Sequence, residues 1–75
     1  MYLDDKVLKR LRAMYPNGAK VRLLFMDDKH APPVGTLGTV WGVDDAGTVH
    51  VKWETGSSLG VAYGVDKIEL VKEEV

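Results

Sequence analysis

The chain has 75 residues, enough for one domain but not for an elaborate enclosed active site, because a chain of this size buries only about 60% of its unfolded surface. Its 45% hydrophobic and 28% charged residues exclude a disordered protein, and the absence of cysteine excludes disulfides, thiolate nucleophiles and cysteine-based zinc sites. The formal net charge is −1, and it is uneven, since residues 4–12 carry four basic and two acidic side chains, a sum of +2 that leaves −3 on the rest.

The sequence also carries signals about the compartment. No apolar run approaches the roughly 18 residues of a transmembrane helix, and the first residues, MYLDDKVLKRLRAM, lack the uninterrupted apolar segment of a signal peptide. The lack of cysteine is typical of a reducing compartment. We therefore expect a cytoplasmic protein without a membrane partner.

The first predicted element is an amphipathic helix in residues 1–15. Asp4 or Asp5 can cap it, and it should end near Tyr15 because Pro16 disfavours a helical conformation in its predecessor. The positions that form its apolar face are Val7, Leu8, Leu11, Met14 and Tyr15. The remaining surface carries Lys6, Lys9, Arg10 and Arg12. This basic face is either a solvated surface or a contact for an acidic partner or a phosphate backbone.

A strand and a loop follow the turn at Pro16-Asn17-Gly18. Residues 19–26 alternate between apolar and other side chains, which predicts a strand with Val21, Leu23 and Phe25 facing the core. Residues 27–34, DDKHAPPV, have neither helical nor strand periodicity and predict a loop that Pro32 and Pro33 stiffen. Loops of this size on small barrels often carry binding residues.

The stretch from Gly35 to Ser58 predicts a hairpin. In its second strand Val49, Val51 and Trp53 alternate with polar residues, so these three should face the core and His50 should lie outside. The sequence Asp44-Asp45-Ala46-Gly47 supplies side-chain acceptors and a glycine for the tight turn. The glycines at positions 35, 38 and 42 predict a bent first strand with a bulge.

The last third of the chain predicts two more short strands. Residues 57–62 form the first, with Leu59 and Val61 facing inward, residues 65–67 form one tight helical turn, and residues 68–71 form the closing strand. Residues 73–75 are expected to be a frayed end. The fold class is therefore mainly β, a five-stranded small barrel in residues 16–75 with an N-terminal amphipathic α-helix in residues 1–15.

Residues 18–71 carry motifs that resemble a known family. The motifs are VRLxxMDD at 21–28, GTxGTV at 35–40, VDDxGTVxVxW at 43–53, GSSL at 56–59 and GVDKI at 64–68. They resemble a family of short uncharacterised bacterial proteins that are common on phages and mobile elements. The GxxGxV and VxWxxGS patterns more loosely resemble the SH3-like domains of mind bomb and HERC-type ubiquitin ligases, which implies an SH3-like barrel that binds proteins. The N-terminal helix lies outside both resemblances.

Neither a metal site nor an active site is expected. The residues of metal-ligand type are Asp27, Asp28, His30, Asp44 and Asp45. Their spacing fits no EF-hand or HxxxH motif, and acids at loop starts more often accept hydrogen bonds from backbone N–H groups. The sequence has no nucleophile elbow and no phosphate-binding loop for Ser57, Ser58, His30 or His50 to join. We therefore predict no enzyme, no catalytic residue, no metal and no cofactor.

Trp41 is the leading candidate for a binding residue. If Val40 faces inward, strand alternation places Trp41 outside, where binding surfaces are enriched in large aromatics. Alternatively, a bulge at Gly42 turns the indole inward, or the helix, a second copy of the chain or a partner covers it. The other residues proposed to line the same groove are Tyr63, His30, Pro32 and Pro33.

Two functional classes remain from the sequence. The first is a non-catalytic module that binds a protein or peptide through these aromatic residues; the mobile-element resemblance implies an inhibitor or accessory protein acting on a host nucleic-acid enzyme. The second is a nucleic-acid-binding accessory protein, in which the basic helix face contacts phosphates and Trp41 or Tyr63 stacks on bases. Only the second predicts binding that weakens steeply with salt.

Overall fold

The structure is a computed structural model that describes residues 4–72. Residues 1–3 and 73–75, including the predicted frayed end, lie outside the described residues. The elements are α1 (Asp5–Met14), β1 (Lys20–Phe25), β2 (Leu37–Val43), β3 (Thr48–Trp53), β4 (Val61–Ala62) and β5 (Lys67–Leu70). The strands form one antiparallel sheet in the order β4-β3-β2-β1-β5.

The predicted class, mainly β with one N-terminal helix, is confirmed. The predicted closed barrel is not: in the described part of the chain β4 and β5 are the two edges of the sheet, and they do not pair with each other. β4 has only two residues, so it offers few backbone groups for a pairing that would close the sheet. No helix in residues 4–72 is long and apolar enough to cross a membrane.

Helix α1 begins at a side-chain cap and ends where a proline follows. The cap is Asp4, whose Oδ1 accepts a hydrogen bond from the backbone N–H of Lys6 at 2.8 Å. The N–H of Tyr15 still donates to the carbonyl of Leu11 at 2.9 Å, after which Pro16 ends the helix. Leu8 and Leu11 are buried, so the apolar face predicted from the sequence attaches the helix to the sheet.

The β2–β3 hairpin has the predicted turn and bulge. Asp44 Oδ1 accepts hydrogen bonds from the backbone N–H groups of Ala46 and Thr48, both at 3.0 Å, and Gly47 takes the left-handed conformation with φ of 84°. Val40 pairs with Val51 and Gly42 pairs with His50, so the register shifts at Trp41. The hairpin and its bulge are therefore confirmed.

The core lies on the inner side of the curved sheet. It consists of Val21, Leu23, Val40, Val49, Val51, Trp53 and Val61. Trp53 is buried as predicted, and its indole N–H donates to the carbonyl of Leu59 at 2.9 Å. Phe25 was predicted to be inward but is 49% exposed, because the β1–β5 register shifts between Leu23 and Phe25 and the strand leaves the core there.

The segment before β4 is shorter as a strand than predicted. Only Val61 and Ala62 form a strand, and Val61 is buried, whereas Leu59 is half-buried in an irregular segment. The Leu59 carbonyl accepts a hydrogen bond from the Trp53 indole N–H rather than from a neighbouring strand. A tight turn precedes β5, since the N–H groups of Val65 and Asp66 both donate to the carbonyl of Ala62, but it lies earlier than the predicted 65–67 because Lys67 already belongs to β5.

Candidate functional site

A groove of about 420 Å³, referred to below as the apolar groove, opens between the end of α1 and the two edges of the sheet. The helix contributes Leu11, Met14 and Tyr15. The strands and the β4–β5 turn contribute Leu24, Val49, Val61, Tyr63, Gly64, Asp66, Lys67 and Ile68. Most of these side chains are apolar or aromatic, so the groove suits an apolar occupant.

The groove exists because the helix and the sheet edges do not cover each other. Leu8 and Leu11 bury the middle of the helix face, but Met14, one turn further along, is 48% exposed. On the sheet, β4 carries Val61 and β5 carries Ile68, and the unpaired gap between these edge strands leaves the floor of the groove open. The apolar stripe of α1 is thus longer than the surface that the chain itself provides to cover it.

Three large side chains around the groove are left in contact with water. Met14, Leu24 and Tyr63 come from the helix, β1 and the β4–β5 turn, and they are 48%, 42% and 51% exposed. Separate exposed apolar residues are ordinary on protein surfaces, but several that converge on one concavity are typical of interaction sites. Their apolar area would be removed from water if a partner filled the groove.

Asp66 fixes the wall of the groove that carries Tyr63. Its Oδ2 accepts from the backbone N–H of Ala62 and its Oδ1 accepts from the N–H of Asp27, each at 2.9 Å. One carboxylate therefore ties the β4–β5 turn to the end of β1. Tyr63 lies within the span that this contact closes, which holds the rim of the groove in place.

The Trp41 side chain lies on the outer face of the sheet, away from the apolar groove. It is 54% exposed, and its ring stacks on that of His50 with centroids 4.9 Å apart and planes tilted by 36°. The outward placement predicted by alternation from Val40 is therefore the one observed. The bulge does not turn the indole inward, and α1 does not cover it. With Arg12 and Tyr15 it lines a second, shallower depression of about 350 Å³.

His50 lies on the outer face, as predicted, and is held by Asp44. The ring Nε2 and Asp44 Oδ2 are 3.0 Å apart. The hydrogen bond from the Thr48 backbone N–H, followed by the one from His50, lowers the pKa of Asp44 below its usual 3.8. Asp44 is therefore a structural acceptor for the turn and for the ring on which Trp41 stacks.

The groove expected from Trp41, Tyr63 and the 27–34 loop is not formed. Trp41 and Tyr63 line separate depressions, and His30, Pro32 and Pro33 line neither. Pro32 is buried, so its ring packs inside the protein and is not available to a partner. His30 and Pro33 are exposed, but their backbones are committed to the loop: His30 N–H donates to Asp28 Oδ1 at 2.7 Å and the Pro33 carbonyl accepts from Thr36.

The basic helix face is divided. Lys6, Lys9 and Arg10 are exposed, whereas Arg12 forms an ion pair with Asp45 at 2.8 Å and reaches the carbonyl of Val43. The helix charge nearest to Trp41 is therefore already matched by an acid. This reduces the positive field that a phosphate backbone would meet beside the exposed indole.

The acidic residues of the 27–34 loop and of the β2–β3 turn accept hydrogen bonds from the backbone or pair with a cation, and they do not form a cluster. Asp28 and Asp44 each accept hydrogen bonds from N–H groups that follow them in the chain, as predicted for residues that start turns. Asp45 binds Arg12. Within residues 4–72 no three His, Asp or Glu side chains are grouped in a way that could hold a metal ion.

Of the three exposed large side chains around the groove, sequence reasoning proposed Tyr63 as a binding residue and missed Met14 and Leu24. Met14 belongs to the predicted apolar face of the helix, and Leu24 alternates with the predicted inward residues Leu23 and Phe25, so the pattern places it on the opposite face of the strand. A signal for Met14 was present, because the apolar stripe of the helix runs for two full turns and ends next to a proline turn. Leu24 carried no such signal, since its position depends on the bulge in β1.

Comparison with known proteins gives one family. A family model described as "Domain of unknown function (DUF4314)" matches residues 4–71. The match includes α1, so the helix belongs to the family pattern, contrary to the expectation that the resemblance begins at Gly18. No curated protein and no solved structure matches the chain significantly.

Proposed function

We propose that this chain, which belongs to the family defined by this domain of unknown function, is a non-catalytic protein-interaction module. The observation that carries the proposal is the convergence of Met14, Leu24 and Tyr63 on the apolar groove. The occupant is an apolar segment of another protein, because the groove offers large apolar contacts and little polar chemistry for a small polar ligand.

The strand order supports an SH3-like arrangement as part of this proposal. Four consecutive strands are neighbours, and β5 returns to pair with β1 after a tight turn. Small barrels of this class serve as binding modules, which agrees with a groove placed at the gap between the two edge strands. The resemblance to phage and mobile-element proteins makes host nucleic-acid enzymes the first class of partner to test.

The nucleic-acid alternative has weaker support. If Trp41 stacks on bases, cations are needed beside it, but the nearest helix cation, Arg12, is paired with Asp45, and Asp44 lies beside His50 in the same hairpin. If Tyr63 stacks instead, the acid Asp66 lines the same groove as the cation Lys67. The two acids therefore bind side chains next to the Trp41 indole, Asp45 binding Arg12 and Asp44 binding His50. This arrangement disfavours a phosphate backbone at that surface.

Capture experiments on the full chain test the proposal. The chain is immobilised and exposed to a nuclease-treated bacterial lysate, and the bound proteins are identified by mass spectrometry. Tyr63→Ser and Met14→Ser should each reduce recovery of the partner at least tenfold, as for loss of a central anchor. Trp41→Ser is the matched control, because it removes an equally exposed aromatic from outside the groove.

The opposite pattern would contradict the proposal. A partner that is retained by the Tyr63 and Met14 variants but lost with Trp41→Ser binds the hairpin surface instead. Recovery that is seen only from a lysate without nuclease treatment, and that weakens steeply with salt, would favour the nucleic-acid alternative.

A further inference from the structure

The two edge strands of the sheet differ in how their outward backbone groups are used. On β4 the N–H of Ala62 donates to Asp66 Oδ2 at 2.9 Å, and the carbonyl of Ala62 accepts from the N–H groups of Val65 and Asp66. The turn that follows β4 therefore occupies the outward groups of this two-residue strand. The β4 edge is closed by the chain itself.

On β5 the backbone groups of Ile68 point away from the sheet. Ile68 lies opposite Leu23 in the β1–β5 pair. Leu23 directs both of its backbone groups to the β2 side, because its N–H donates to Thr36 at 2.9 Å and its carbonyl accepts from Gly35 at 2.7 Å. Opposite residues of an antiparallel pair either bond to each other or both point away, so the N–H and carbonyl of Ile68 point outward. β5 thus presents an open edge to which another strand can add.

The charged side chains of β5 make this edge complementary to itself. Lys67 and Glu69 are exposed and, being two residues apart, lie on the same face of the strand. Glu69 Oε1 accepts from Arg22 at 2.7 Å, which leaves Oε2 for another donor. When two β5 strands pair antiparallel with Ile68 at the centre, Lys67 of each copy stands opposite Glu69 of the other.

The same charges disfavour the neighbouring registers. Sliding one strand by two residues keeps the outward backbone groups in register, but it places Glu69 opposite Glu69 in one direction and Lys67 opposite Lys67 in the other. Like charges that stand directly opposite each other destabilise a strand pair. The charge pattern therefore favours the register centred on Ile68.

We infer that the chain forms a two-fold symmetric dimer in which β5 pairs antiparallel with β5 of a second copy. Ile68 of each copy exchanges N–H and carbonyl hydrogen bonds with Ile68 of the other, and two Lys67–Glu69 ion pairs flank this centre. Leu70, which is 49% exposed, gains a neighbouring strand that removes part of its area from water. Each copy contributes an edge of four residues, so the interface is small and the dimer is weak.

Sedimentation velocity of the full chain, from micromolar to millimolar concentration, tests the dimer. Lys67→Glu and Glu69→Lys each replace two ion pairs with two like-charge contacts, so each should raise the dissociation constant of the dimer about tenfold or more. An equimolar mixture of the two variants brings opposite charges together again and should dimerise nearly as well as the parent. Lys52→Glu is the matched control, because it makes the same charge change at an exposed position of the interior strand β3 and should leave the dissociation constant unchanged.

A measurement on the parent chain locates the interface without any substitution. The Ile68 N–H faces water in the monomer and is hydrogen-bonded in the dimer, so its amide exchange, followed by NMR, should slow as the protein concentration rises. An exchange rate that does not change while the chain dimerises would place the interface elsewhere and overturn the inference.

Other results would also overturn the inference. A parent chain that stays monomeric at millimolar concentration does not pair through β5. A dimer that Lys67→Glu leaves unchanged, or folded variants whose mixture stays monomeric, would show that charge pairing between β5 edges does not join the copies. None of these results refutes the apolar docking site, because the Tyr63 and Met14 variants test that site through recovery of its partner.

Discussion

The indole N–H of Trp53 donates a hydrogen bond to the carbonyl of Leu59, 2.9 Å away, across a loop of five residues. This contact fixes the irregular segment between β3 and β4, where no strand pairing holds the chain. The backbone supports the same loop, because Trp53 N–H donates to the carbonyl of Ser57 at 3.0 Å. Trp53 is thus both a core residue and the anchor of the segment that leads to the apolar groove.

We expect Trp53→Ala to lower the free energy of unfolding by about 3–5 kcal/mol, the range for truncating a large buried aromatic. Trp53→Phe keeps a ring but leaves the Leu59 carbonyl without its donor, so it should cost less, about 1–3 kcal/mol. Urea denaturation followed by circular dichroism measures both. A loss below about 1 kcal/mol for Trp53→Ala would contradict the burial of this side chain.

Gly38 and Gly42 provide a matched pair in β2. A Cβ at Gly38 would overlap with Val51 Cγ1 and lie 2.7 Å from Trp53 Cε3, whereas a Cβ at Gly42 would meet nothing within 4 Å. We therefore expect Gly38→Ala to destabilise the domain by about 1–3 kcal/mol through overpacking and Gly42→Ala to change stability by less than about 0.5 kcal/mol. Thermal unfolding of the two variants makes the comparison. Equal melting temperatures would show that β2 and β3 do not pack as closely as described.

The core of this fold could be predicted from the sequence because it is set by strict alternation. Val49, Val51 and Trp53 face inward in a strand that has no irregularity, and the turn residues Asp44 and Gly47 fix its register. The failures occur where alternation is interrupted. Phe25 follows a register shift that single-sequence periodicity does not reveal, and the same shift positions Leu24 at the groove.

The candidate site was only partly predictable for a related reason. From the sequence, an exposed Trp41 was one of several alternatives, and Tyr63 was a candidate lining residue of the same groove; in the structure both side chains are about half exposed. The placement of Trp41 and Tyr63 in separate depressions was not predicted, because it depends on where the helix lies relative to the two edge strands. Tyr15 lies between the two depressions and lines both, a tertiary relationship that no local pattern encodes.

Trp41→Ala should change the free energy of unfolding by less than about 0.5 kcal/mol, apart from the contact with His50, because the indole is largely in water. The two tryptophans also make a fluorescence prediction. Emission should shift to the blue in Trp41→Phe, since only the buried Trp53 remains, and acrylamide quenching should fall. Strong destabilisation by Trp41→Ala, or a red shift in Trp41→Phe, would place Trp41 in the core.

Asp44 should make stability depend on pH through its negative charge. Its folded-state pKa is lowered, first by the Thr48 backbone N–H and then by His50, so the ionised form is favoured in the native state. A lowered folded pKa contributes stability that is fully present above the unfolded value near 3.8 and is lost as pH falls through the folded value. The contribution is modest, because the side chain is partly exposed and solvent screens it.

Asp44→Asn removes this charge while the amide oxygen still accepts from the N–H groups of Ala46 and Thr48, and it replaces the oxygen that faces His50 Nε2 with an NH2 group. We expect the variant to be about 1 kcal/mol less stable than the parent at pH 7, and the difference should shrink as pH falls below 3.8. Glu54→Gln, at an exposed position, controls for the change in net charge and should show no such convergence. Urea unfolding between pH 7 and pH 2.5 measures all three proteins. A difference between parent and Asp44→Asn that stays constant down to the acid limit would show that the carboxylate charge does not stabilise the hairpin turn, and that the turn depends only on the geometry of its acceptor.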